Sequence, residues 1–183
     1  MASLYDEYRQ FEFDSFNALK SGNATITSKT ADDMYDTLIE AYINGFRSAS
    51  YLLGISDRPI SPERAAEIIM GKVAGATFEE RLLKYDNNTF DDFLDDVERI
   101  LLTEIHRVFL QGQLDCAKEA GAKTKTWDAT MDNVTRDTHA ALDGTEIGID
   151  EYFETVNGRA LAPGLFDVGQ EDCNCRCILS FSF

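Results

Sequence analysis

His139, Cys173, Cys175 and Cys177 are the residues of this chain whose types and spacing can do chemistry. Imidazole and thiolate are the donors zinc takes in a tetrahedral site, and Asp132 adds an oxygen in the same segment. A loop-rich segment with few large apolar side chains can draw stability from such an ion. Against a metal stand the C-x-C spacing, where zinc knuckles use C-x-x-C, and the single His nearby in sequence. The simpler and preferred reading is a packed, hydrogen-bonded core around His139. In it Cys177, which runs on into Ile178 and Leu179, is a small buried hydrophobe. A third reading makes a Cys the nucleophile and His139 its base, in a hydrolase or transferase. No nucleophile elbow or oxyanion loop accompanies that pair, and the chain has no Walker A sequence, no G-x-G-x-x-G and no H-E-x-x-H. No catalytic residue is assigned, and no cofactor beyond the candidate structural zinc.

Charged residues surround these candidates. Arg136 and Arg176 are expected to pin backbone carbonyls or to pair with Asp132, Asp137, Asp143 or Asp172. The alternative is a surface ion pair worth ~0–1 kcal/mol. Glu104 stands among apolar residues of a long helical stretch. It can pair with Arg136 or with Arg107 on the next turn, or remain solvated.

The elements that must position these residues fall into two kinds. From Thr30 onward, Met34, Leu38, Ile39, Tyr42, Ile43 and Phe46 recur at helical spacing, and Gly54 is a natural stop. Ser61-Pro62-Glu63 predicts a helix start, and Gly75 its end. Thr77 and Glu80 form a capping box for a short helix to about Lys84, with Asn87-Asn88 as the break. Thr89 opens the longest helix, to about Glu119, with Gly121 as its cap. Gly112 inside it costs ~1 kcal/mol against Ala and implies a close helix crossing or a bend. After Gly121 the period changes. Short strands are predicted around Trp127, over Thr145–Ile149, Ala160–Ala162 and Cys175–Ser180. One or two helical turns fall within Asn133–Leu142, and a tight turn at Asn157-Gly158.

The fold class read from this is α+β, mainly α. A helical body of four or five helices precedes a small loop-rich module with short β-strands. The divisions are an aromatic N-terminal arm, 1–29, with a loop at Ser21–Thr25; a helical region, 30–121; and the module, 122–183. The hydrophobic share of 44% is enough to fill a core. No apolar run approaches the ~20 residues of a membrane span, and MASLYDEYRQ lacks the basic and apolar parts of a signal peptide. A cytoplasmic protein with thiols rather than disulfides is expected. Net charge is −16, from 17 basic and 33 acidic residues, so most of the surface repels nucleic acid. DNA contact is restricted to a local patch or to a partner protein.

Trp127, Asp132, Arg136, His139, Leu142, Gly144, Phe153, Pro163, Asn174, Cys175, Arg176 and Cys177 occur in a fixed order. In that order they resemble the head-morphogenesis domain of tailed bacteriophages, the family of phage Mu F-like minor head proteins. Arg99, Thr103 and Glu104 resemble the helix that precedes the Trp in that family, so the resemblance runs over about 90–181. It implies a structural minor head protein that contacts the portal, major capsid or scaffold protein. Such a protein assembles in the host cytoplasm, ends in the capsid interior and can be ejected with the DNA. It implies that the motif residues form a structural core. Some family members are fused to toxin domains, including ADP-ribosyl transferases; the first 90 residues here are too short and too helical for one. The chain departs from the pattern in its extra Cys173 and its short length. A zinc-stabilised interaction module without a virion role and a Cys–His enzyme stay open as alternatives.

Overall fold

A computed structural model describes residues 24–55, 59–82 and 90–183. Among the described residues four helices come first: α1 (Ala24–Leu52), α2 (Pro62–Ile69), α3 (Phe78–Leu82) and α4 (Phe90–Ala120). The rest is short elements: β1 (Thr124–Asp128), α5 (Asp137–Ala140), β2 (Glu146–Gly148), β3 (Phe153–Thr155), β4 (Gly158–Ala160), α6 (Gly169–Asp172) and β5 (Ile178–Ser182). The chain is α+β and mainly α, as its sequence predicts.

The helix starts follow from caps. Ser61 Oγ accepts the Arg64 N–H at 3.1 Å, with Pro62 in the first turn where its missing N–H costs nothing. Thr77 and Glu80 make a reciprocal capping box, at 2.8 and 3.2 Å. α1 begins at Ala24, ahead of the expected Thr30, so the expected arm and loop end inside a helix. Thr30 is an interior position of that helix. The remaining arm residues, 1–23, and the break at 87–88 lie outside the described residues. α2 stops at Ile69 rather than near Gly75. The chain turns there through Ala74 and Gly75, both at positive φ, into a bridge between Val73 and Ala76.

α1 and α4 cross backbone to backbone. A Cβ on Gly112 would stand 2.3 Å from the Tyr42 carbonyl oxygen, and one on Gly45 2.0 Å from that of Phe109. The crossing therefore needs both glycines. It closes a core of Leu38, Tyr42, Ile69, Phe78 and Leu101, with Phe46, Ala49 and Cys116 packed beside it.

The second core lies under the C-terminal sheet. β1 is its central strand, antiparallel to β2 and to β5, with Trp127 opposite Leu179. β3 and β4 form the hairpin that Asn157-Gly158 predicts. β4 ends at Ala160, short of the expected Ala162, because Ala162–Leu165 is a turn with Pro163 and a positive-φ Gly164 at its centre. β5 begins at Ile178, not at Cys175, because Cys175 is held in a turn by its N–H to the Asp172 carbonyl. β3 and α6 are too short to carry a periodic signal and were not expected.

Lys125 faces inward beside Trp127 and is fully buried. Its Nζ donates to the Ile149 carbonyl at 2.8 Å and sits 5.6 Å over the Phe153 ring. Burial, with Lys118 nearby, pushes its pKa from 10.5 down to about 8. Between those values the unfolded chain binds more protons than the folded one, so stability rises with pH across the window. At about 1.4 kcal/mol per unit the gain is on the order of 3 kcal/mol. In urea unfolding at a series of pH values, wild type is expected to gain stability from pH 8 to 10.5. Lys125→Met is expected to lose that slope; an unchanged slope would contradict the assignment.

Candidate functional site

β1, α5, α6 and the segment before β5 place their side chains around His139, which is 1% exposed. Arg136 opens the α5 turn with its carbonyl accepting the His139 N–H, so the short helix sets the ring's direction. Nδ1 faces two sulfurs, Cys177 Sγ at 3.4 Å and Cys175 Sγ at 3.6 Å. Nε2 faces the opposite way, 3.0 Å from Glu171 Oε2. That carboxylate oxygen lies off the ring N–H axis, so the contact is a close polar approach rather than an aligned hydrogen bond.

Glu171 is fully buried and heavily hydrogen-bonded. It accepts from Thr138 Oγ1 at 2.9 Å, Thr155 Oγ1 at 2.9 Å and Asn157 Nδ2 at 2.8 Å. Burial alone would raise its pKa; the hydrogen bonds from Asn157, Thr138 and Thr155 outweigh it and hold the carboxyl below its ordinary value. The two thiols act as a unit. The hydrogen bond to Cys177, with burial, pushes the Cys175 thiol up, and the same bond pulls the Cys177 thiol down.

Trp127 caps this cluster. It meets His139, Phe153 and Phe166 edge-on, at 5.2, 5.1 and 6.1 Å between centroids. Its buried Nε1 has no hydrogen-bond partner among the described residues. That orphan costs about 1–3 kcal/mol, which three edge-on contacts of about 0.5–1.5 kcal/mol each can offset.

The other motif residues hold loops. Gly144, at φ 70°, donates to the Trp127 carbonyl at 2.8 Å, in a turn that buries Leu142. Asn174, at φ 54°, adopts the left-handed conformation that Asn tolerates, and its N–H donates to Thr103 Oγ1 on α4 at 3.3 Å. Phe153 and Pro163 are buried. Arg136 pins the Cys173 carbonyl through Nη2, one of its expected uses. Arg176 pairs with Asp132 at 2.6 Å in an exposed position, which makes it the surface ion pair and not a core clamp. Hydrogen bonds from the Val134 N–H and from Arg176 hold the Asp132 carboxyl below its ordinary value. Asp172 is no arginine's partner. It caps the Phe166 and Val168 N–H groups, at 2.9 and 3.0 Å, and burial raises its pKa.

Cys173 stays outside the cluster; among the described residues His139, Cys175 and Cys177 are the group whose donor atoms lie within 4.8 Å of one another. Asp132 is spent on its turn and on Arg176. Glu104 is neither solvated nor paired with Arg136. It is fully buried and bound by Arg81 at 2.5 Å and by Arg107 at 2.7 and 3.1 Å, while Arg107 also donates to the Ile68 carbonyl at 3.0 Å. This network ties α4 to α2 and α3.

Three residues of this region carried no usable sequence signal. Glu171 is one acid among many, although it stands close before the C-x-C. Arg81 lies 23 residues from Glu104. His106 lies near Cys177, its Nε2 buried without a hydrogen-bond partner among the described residues, and burial lowers its pKa to about 4. Beside it a surface groove runs between Arg99, Arg136 and Arg176, with Leu102, Val134 and Cys175 also lining it.

The family model described as Phage Mu protein F like protein matches residues 36–180. That match begins well ahead of residue 90 and takes in most of α1. Minor head protein GP7 of Bacillus phage SPP1 is 41% identical over 83 residues, 43% of this chain and 27% of its own length. NAD(+)–arginine ADP-ribosyltransferase EFV of Enterococcus faecalis is 34% identical over 149 residues, 79% of this chain and 30% of its own. The chain therefore spans less than a third of either curated relative. No solved structure gives a significant match.

The two ion pairs at the motif should differ sharply in worth. Glu104→Gln leaves two arginines facing a buried neutral group and is expected to cost about 3–5 kcal/mol in chemical unfolding. Asp132→Asn, on the exposed pair, is expected to cost far less. Equal costs would contradict the burial assigned to Glu104.

Proposed function

Since the chain belongs to the family of phage Mu protein F-like proteins, we propose that it is a structural minor head component acting in phage head assembly. The observation that carries this is the family match over 36–180, together with the 41% identity to a protein named minor head protein. The site geometry supports a structural use. His139, Cys175 and Cys177 are 1%, 4% and 3% exposed, which leaves little room for a macromolecular substrate to meet a thiolate–imidazole pair. In this reading the chain contacts portal, major capsid or scaffold protein, lies in the capsid interior and can leave with the genome. With a net charge of −16, contact with DNA is confined to a local patch, and the groove with Arg99, Arg136 and Arg176 is the basic surface suited to it. Among the described residues no helix is long and apolar enough to cross a membrane.

The relative named as an ADP-ribosyltransferase raises a second reading, because it aligns with 79% of this chain. We assign its named activity to the part of that protein outside the shared stretch, which is 30% of its length. The basis is that most of the chain, including the buried cluster, falls in a stretch that one family model describes.

Mass spectrometry of purified procapsids and virions of the phage that encodes the chain tests the proposal. The chain is expected in procapsids at low copy, with no transfer of ADP-ribose from NAD to an arginine acceptor by the purified protein. Absence from both particles, or robust transferase activity, would overturn it.

A further inference from the structure

We propose that Cys175, Cys177 and His139 bind a structural zinc ion, His139 through Nδ1. Three side chains from two segments 36–38 residues apart bring soft donors to one point inside the protein. A hydrogen-bonded core alone explains this poorly. A neutral imidazole has one lone pair, and here two sulfurs stand at 3.4 and 3.6 Å from the same Nδ1. A zinc ion answers both distances. With Zn–S of about 2.3 Å, Zn–N of about 2.0–2.1 Å and the tetrahedral angle, S···N comes to about 3.5–3.6 Å.

The surroundings fit the same ion. A metal-bound imidazole usually presents its other nitrogen to a carboxylate, which fixes the tautomer and raises the ring's basicity. Glu171 holds that place, 3.0 Å from Nε2, and its own position is fixed by Thr138, Thr155 and Asn157. Zinc binding releases the thiol protons. Two thiolates and an imidazole select zinc over hard cations such as magnesium or calcium. Three protein ligands leave a fourth tetrahedral position, and Cys175 also lines the neighbouring groove. Bound there, zinc cross-links α5 to the segment entering β5, so its binding energy becomes folding energy. Cys173 takes no part.

The test is metal analysis of the full chain, purified without chelator and reconstituted with zinc, together with X-ray absorption at the zinc edge. Wild type and Cys173→Ser are expected to hold one zinc per chain. The absorption spectrum of the wild type should fit two sulfurs and one imidazole nitrogen. Glu171→Gln should weaken zinc binding about 10–100-fold, and joint replacement of Cys175 and Cys177 by Ser should abolish it. A wild-type protein that stays zinc-free, a shell of nitrogen and oxygen only, or zinc retained by the double variant would overturn the proposal. The wild-type spectrum decides the matter even if the double variant does not fold. None of these readings depends on a role in the phage head.

Discussion

The two nitrogens of His139 face opposite partners, and that constraint organises the C-terminal half. Nδ1 can meet the sulfurs of Cys175 and Cys177 only if the chain before β5 passes over α5. Nε2 can meet Glu171 only if α6 closes on the other side. Trp127, edge-on to the same ring, then fixes the depth of β1. Strands of three to five residues hold little by themselves; shared packing on one imidazole makes them one core.

The helical half is governed differently. Its close crossing at Gly45 and Gly112 is a matter of backbone shape, while Glu104 with Arg81 and Arg107 fixes which helix faces meet. Such a buried network adds little net stability over an apolar core of the same volume, but losing one member is expensive. The halves join where Thr103 on α4 accepts the Asn174 N–H and where Gly164 packs against Arg107. A sequence motif that spans the long helix, the Trp and the Cys tail is thus a set of contacts among the elements it crosses.

Much of this was legible in the sequence because it rests on local chemistry. Ser61-Pro62, Thr77 with Glu80, Asn157-Gly158 and Gly121 act through near neighbours, and each sits where its turn or cap requires. The crossing implied by Gly112 was legible too, since a helix keeps an interior glycine at a cost. Partners brought together by the tertiary fold were not. Glu104 reads as an i,i+3 pair or a solvated acid until Arg81 arrives from α3. Glu171 has no distinguishing spacing, and Arg176 looks like Arg136 although one is exposed and the other pins a carbonyl. The family's reach into α1 was hidden for a related reason: those residues contribute apolar periodicity rather than distinctive side chains.

The orientation of the His139 ring decides how the short elements around it meet. Imidazole nitrogen NMR of His139 in the folded chain reads that orientation directly. The expected result is a proton on Nε2, toward Glu171, and none on Nδ1. A protonated Nδ1, or a ring exchanging freely between tautomers, would contradict it.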